Sequence, residues 1–289
     1  KAAGNLIVND GTFTISTTDD GLHSNSDMSI NGGSFTIATG DDGLHADNDL
    51  IINSGVIAIT DCYEGLEGLT ITVNDGTINI NASDDGINAA GGTDSSGFGG
   101  FGHDAFSADS DANIYINGGT ITINADGDGI DSNGNLYVTG GEIYVSGPES
   151  NADGALDYDG EATITGGTLI AAGASGMAEN FGSDSTQGSI LVTFTTQSAG
   201  TTISLLDESG STLLSWQSDK TYSSVVISSP DIVVGNTYTI KAGNYETTVT
   251  MDSTIYGSGM GMGGFPGGGG FHDGGFSGNN SNNNGDNNN

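Results

Sequence analysis

"INGGSFTIATGDDGLHAD", residues 30–47, carries two glycine signals ten residues apart, Gly33 and Gly43. Between them Phe35 and Ile37 alternate with Ser34, Thr36 and Ala38, the period of two expected of a strand with one buried face. The first signal recurs as Gly11, Gly33, Gly55, Gly76, Gly119, Gly141 and Gly167, at intervals of 22, 22, 21, 43, 22 and 26 residues. The second recurs as Gly21, Gly43, Gly65, Gly86 and Gly129, each ten residues after a member of the first. A constant offset kept through five repeats marks a solenoid, in which no coil buries its apolar face without its neighbours.

Each period of about 22 residues holds short β-branched runs divided by Gly, Asn or Asp, such as "LIINSG", "VIAIT" and "EGLEG". Three short strands per coil, stacked in register, make a parallel β-helix. The inward rungs are expected to be Leu22, Leu44, Leu66, Ile87, Ile130, Leu156 and Met177 on one face, and Phe13, Phe35, Ile57, Ile78, Ile121, Ile143 and Leu169 on another. Seven coils spaced about 4.8 Å apart would give a rod of roughly 34 Å. Handedness is not carried by the pattern, and the common right-handed form is the expectation. The competing calcium-binding nonapeptide solenoid needs GGxGxD every nine residues, which is missing.

The repeat occupies residues 1–187, with a Gly-rich loop inserted at 93–112 where the 43-residue interval falls. Within it "HDAFSAD" reads as a degenerate "DDGLHAD". A smaller excursion surrounds Pro148. From 188 to 255 the glycine columns stop, and "DESG" marks a hairpin-like turn, so an antiparallel β cap is expected over the open strand edges. Residues 256–289 are a low-complexity Gly/Asn-rich tail.

Charge narrows the function. Three lysines, Lys1, Lys220 and Lys241, and no arginine stand against 37 acids, a formal charge of −34. Nucleic acid needs Lys and Arg to displace phosphate counterions, so it is excluded as a partner, and an anionic membrane is equally disfavoured. Acids this dense imply a divalent cation, calcium, as the alternative to a merely solvated acidic surface. No run of about 18 apolar residues occurs to span a membrane. Cys62 is the only cysteine, and no disulfide framework is possible within the chain. The Gly, Asn, Ser and Thr bias, with Lys1 rather than Met at the start, points to a processed, extracellular product.

The acids fall in columns, expected to face outward. Asp20, Asp42, Glu64, Asp85, Asp104 and Asp128 precede the second glycine. Two residues after it come His23, His45, Glu67, Asn88, Ser107, Asp131 and Asp157, and two further on Asn25, Asp47, Asp109, Asn133 and Asp159. Oxygen ligands one strand spacing apart suit calcium, which takes six to eight of them. The plain alternative is that these are Asx turns. "DGDGIDSNG" is richest, with Asp126, Asp128, Asp131 and Asn133, joined one coil later by Asp157 and Asp159. His23 and His45 stack one coil apart and read either as a transition-metal pair or as solvent-facing ladder residues. His103 and His272 lie in Gly-rich segments and carry no signal.

Catalysis has little support. A lyase acting on uronates needs a basic residue, and residues 2–187 contain neither Lys nor Arg. A glycoside hydrolase needs a carboxylate pair at a set separation, but a catalytic cluster should break the repeat rather than follow it.

At "TDCYEGLEG", "SDDGINAAGG", "GFGGFG", "DGDGIDSNG", "GGEIYVSGP" and "GALDYDG" the chain resembles a family of secreted bacterial carbohydrate-binding proteins. These are right-handed parallel β-helices that bind calcium and recognise cellulose or acidic sugars. The resemblance covers residues 4 to 250. It implies calcium ligands at Asp126, Asp128, Asp131, Asn133, Asp157 and Asp159, with Asp84, Asp85 and Asn88 beside them. Family members commonly carry further coils ahead of the first one here. The expectation is therefore an all-β, noncatalytic, calcium-dependent polysaccharide-binding protein, with Asp42 and Asp47 as further metal ligands. Tyr63, Tyr115, Tyr137, Tyr144 and Tyr158, or Phe98 and Phe101 of the loop, would stack on cellulose or an acidic glycan such as polygalacturonate. The alternative is a structural one, a homo-oligomer or filament of solenoids joined end to end.

Overall fold

A computed structural model describes residues 1–90 and 111–257. Among them there is no helix, and the chain is a β-solenoid of about seven coils continued by antiparallel strands. The three strands per coil are present. One column runs Thr12–Ser16, Ser34–Ala38, Val56–Cys62, Thr77–Ala82, Thr120–Ala125, Glu142–Ser146 and Thr168–Gly173, each parallel to the next. The other two columns share one eleven-stranded sheet, because Leu44–Ile52 and Leu66–Val73 run through the bend between them without a break.

Register follows the expected rungs. Phe13 pairs with Phe35, and the row continues through Ile57, Ile78, Ile121 and Ile143 to Leu169. The second row runs Leu22, Leu44, Leu66, Ile87, Ile130. From Leu44 to Ile130 its members are fully buried, the like-on-like stacking that supplies most of a solenoid's apolar burial. One rung is corrected: in the last coil Ala178, not Met177, belongs to the core, and Met177 is only half-buried. The coil "SGMAENFG" lacks the Asp-Gly pair that sets the frame elsewhere. Ile78 sits beside Ile121 and Asn88 beside Asp131, so the long insertion leaves the stacking undisturbed. Phe98, Phe101 and the rest of 91–110 lie outside the described residues, as does 258–289.

The two glycine columns have different causes. Gly11, Gly33, Gly55, Gly76, Gly119, Gly141 and Gly167 all have positive φ, which an L side chain resists. Gly21, Gly43, Gly65, Gly86 and Gly129 do not; a Cβ there would fall within 3.0 Å of the next coil's carbonyl oxygen. Beside the first column runs an amide ladder absent from the sequence reading. Asn31, Asn53, Asn74 and Asn117 each donate Nδ2 to the Oδ1 of the asparagine one coil earlier, at 2.8 to 2.9 Å, beginning at Asn9. These polar atoms are thereby satisfied within the stack.

Past the solenoid, Tyr222–Ser228 pairs antiparallel with Thr168–Gly173 and with Ser189–Gln197. Thr202–Leu206, Thr212–Gln217, Thr237–Ala242 and Tyr245–Thr250 form a separate four-stranded antiparallel sheet. The hairpin at "DESG" is present, its turn closed by Asp207, whose Oδ1 accepts from the amides of Ser209 and Ser211.

Candidate metal and glycan sites

The first two polar columns are not the solvated ladders their sequence suggests. Asp42, Asp85, His23, His45 and Asn88 are all buried, His45 completely. The turn acids bind backbone as well: Asp42 Oδ1 accepts the Glu64 N–H, Asp85 Oδ1 the Asp128 N–H, and Asp128 Oδ1 the Gly154 N–H. One carboxylate oxygen in each thus clips the next coil, leaving the other for a second partner.

Read down the strand, one column runs His23, His45, Glu67, Asn88, Asp131, Asp157. Glu179 lies 22 residues past Asp157, is buried, and feels the charges of Asp157, Asp128 and Asp159. The sequence reading missed it, though that spacing was there to find. The first two coils therefore carry imidazoles, and the later ones acids except for Asn88.

The acidic end gathers Asp85, Asp128 and Asp131, whose ligand oxygens all lie within 4.8 Å of one another. Asp84 is drawn in by Gly127: a Cβ there would fall within 3.0 Å of both Asp84 Oδ1 and Asp85 Oδ1, so the two oxygens rest against its Cα. Asn88 turns its Nδ2 back to Glu64 Oε2 at 3.0 Å, while its Oδ1 is buried without a hydrogen bond. Burial, then the charge of Asp128, raises the Asp85 carboxyl well above the usual range. Burial also pushes Asp128 up to about 7 and Glu179 to about 8. Acids that burial and mutual repulsion disfavour as anions become favourable when a cation joins them. Hard oxygens without nitrogen or sulfur fit calcium.

The remaining expected ligands are placed otherwise. Asp126 is ion-paired to Lys220 and its side chain is largely exposed. Asn133 is buried and donates Nδ2 to the Ala90 carbonyl at 3.4 Å. Asp157 accepts the Tyr158 N–H at 2.9 Å, and Asp159 is exposed. Asp42 and Asp47 belong to the histidine end.

Of the tyrosines, Tyr115 and Tyr137 stack in register, centroids 5.1 Å apart, on the outer side of the third strand column. Thr72 precedes and Thr163 follows them. Alongside, Asn135 Nδ2 donates to Asn113 Oδ1 at 2.8 Å. Aromatic edges, hydroxyls and amides at one spacing suit a sugar chain. Tyr63 hydrogen-bonds Asp84 beside the acidic cluster. Tyr144 instead stacks on Trp216, joining the solenoid to the four-stranded sheet, and Tyr158 donates its hydroxyl to the Asn180 carbonyl at 2.5 Å.

A family model described as carbohydrate-binding domain-containing protein matches residues 1–43 and 41–260. No curated protein and no solved structure gives a significant match.

Proposed function

Since the chain belongs to the family of carbohydrate-binding domain-containing proteins, we propose that it is a noncatalytic, extracellular, calcium-dependent binder of polysaccharide, with acidic glycans favoured over cellulose. The observation that carries the reading is the cluster of buried Asp85 with half-buried Asp128 and Asp131, and the buried Asn88 oxygen without a hydrogen bond beside it. Calcium held there would satisfy the cluster. Any coordination position left open to an outside oxygen would accept a uronate carboxylate, which a surface of charge −34 would otherwise repel. The Tyr115 and Tyr137 strip supplies a sequence-tolerant contact for the sugar faces and hydroxyls. Among the described residues Lys220 and Lys241 are paired with Asp126 and Glu246, and neither stands in the acid cluster as the base an elimination would need.

Affinity electrophoresis tests this. Retardation by polygalacturonate is expected in calcium and not in chelator, weakened at least about tenfold by Tyr115→Ala with Tyr137→Ala, a loss of about 1.4 kcal/mol. Equal mobility with and without calcium, on both polygalacturonate and a soluble cellulose derivative, would reject the reading.

A further inference from the structure

We propose that the first coils hold a second cation site of a different kind, taking a transition metal of the zinc class on Asp42, His45 and Glu67. His45 Nδ1 lies 3.1 Å from Asp42 Oδ2 and is ion-paired with Glu67 Oε2 from the following coil. The three atoms stand within 4.8 Å of one another. Tetrahedral zinc with bonds of about 2.0 Å holds its ligands roughly 3.3 Å apart, close to the separation of His45 Nδ1 and Asp42 Oδ2. An imidazole nitrogen among the donors favours zinc, copper or nickel over calcium.

Three features say that the cluster is short of positive charge and of donors. His23 Nε2 and His45 Nε2 are buried atoms without a hydrogen bond, with Asp47 Oδ1 the acid facing them at 3.4 and 3.3 Å. Both histidines are more than nine-tenths buried. Four carboxylates, Asp20, Asp42, Asp47 and Glu67, meet two imidazoles, so with His45 neutral as a ligand and His23 protonated the group stands at −3. A divalent ion offsets most of that charge.

The surroundings are arranged as a metal-bound imidazole requires. His45 Nε2 faces Asp47 Oδ1 at 3.3 Å, so an Nε2–H would donate to a carboxylate while Nδ1 binds the ion. Asp42 is steadied by the Glu64 N–H on its other oxygen. The rings of His23 and His45 are parallel, 4.3 Å apart, so their in-plane lone pairs run side by side and do not chelate one ion together. His23 repeats the pairing with Asp20 one coil earlier, but the next residue in its column is His45, not an acid. Among the described residues, an Asp, a His and an acid from the following coil meet at His45 and not at His23.

The test loads the whole chain with millimolar calcium and titrates zinc or cobalt(II). About one equivalent should be retained through dialysis, with visible cobalt bands, in the native chain and in Asp131→Asn. It should be lost in His45→Gln and in Glu67→Gln. Nitrogen NMR of the native chain with zinc should show His45 with Nε2 protonated and Nδ1 bound. Retention of neither ion would overturn the proposal, as would equal retention by a folded His45→Gln. So would a His45 ring still protonated at both nitrogens in the presence of zinc, which would make the column a ladder of imidazolium ions instead.

Discussion

Lys220, in the turn before Tyr222–Ser228, donates its ammonium to both the Asp126 carboxylate and the Ala125 carbonyl. Its neighbours act likewise: the Asp219 N–H reaches Ser146 Oγ at 2.9 Å, and the amide and hydroxyl of Thr221 both reach Glu149 Oε1. Three consecutive residues thus fasten the antiparallel strands to the fifth and sixth coils and to the excursion around Pro148. Lys220→Met should cost about 2–4 kcal/mol, the sum of a charge-assisted bond to a carbonyl and a partly exposed ion pair. Urea unfolding at low and high salt would measure it, the gap between native and variant narrowing as salt rises.

Calcium should stabilise the native chain with the logarithm of its concentration, by about 2.7 kcal/mol at a hundredfold excess over Kd. Asp131→Asn should remove most of that gain while leaving the calcium-free melting temperature within a few degrees. Protons compete for the same oxygens. Burial pushes Asp128 up to about 7, so an acid whose folded pKa is raised holds its proton between pH 4 and 7, where the unfolded chain has lost it. Without metal, stability should therefore fall as pH rises through that window. With metal, affinity should rise across it as protons leave. Calorimetry at pH 6 and pH 8 in buffers of different ionisation enthalpy would record the released proton.

The fold was legible because a solenoid repeats its signals: one misplaced rung cannot shift the other six, and the only slip, Met177 for Ala178, came where the Asp-Gly pair was missing. The site was less legible for a physical reason. Alternation places His45 opposite the core rungs Leu44 and Ala46, which reads as solvent, yet stacking of His23, Asp42 and Glu67 around it closes that side completely. Period says which side of a strand a residue takes and nothing of what later covers it. Asp126 shows the converse: its spacing matched a metal ligand, but its partner, Lys220, is 94 residues away. Charges paired across such distances leave no local pattern.

Cys62 should be inert in the native state. Its thiol is 3% exposed, donates to the Asn81 carbonyl at 3.4 Å, and is pushed up to about 12 by burial and by Asp42, Asp61 and Glu64. The thiolate is the reacting form, so alkylation at pH 8 should run more than about a hundredfold slower than in urea. The sign for stability is the same as for any acid raised by folding: the contribution is complete below pH 9 and is lost as pH climbs toward 12. Cys62→Ser should flatten that alkaline limb, and an unchanged limb would assign it elsewhere.

The glycines of the second column can be separated from those of the first by substitution. Gly65 has no positive φ, yet an added Cβ would press on the Gly86 carbonyl oxygen and on Ile80 Cγ2. Gly65→Ala therefore forces neighbouring coils apart, an overpacking cost of about 1–3 kcal/mol. Trimming the obstructing side chain relieves only part of that cost, because the carbonyl cannot move without breaking a coil-to-coil hydrogen bond, that from the Leu66 N–H. Ile80→Ala combined with Gly65→Ala should accordingly recover less than the full loss in a double-mutant cycle. Gly4→Ala, with nothing within 4 Å and no positive φ, should stay within about 0.5 kcal/mol of the native chain. Equal effects at positions 4 and 65 in thermal and urea melts would show that coil spacing tolerates a methyl group, and that the ten-residue offset has some other cause than close approach.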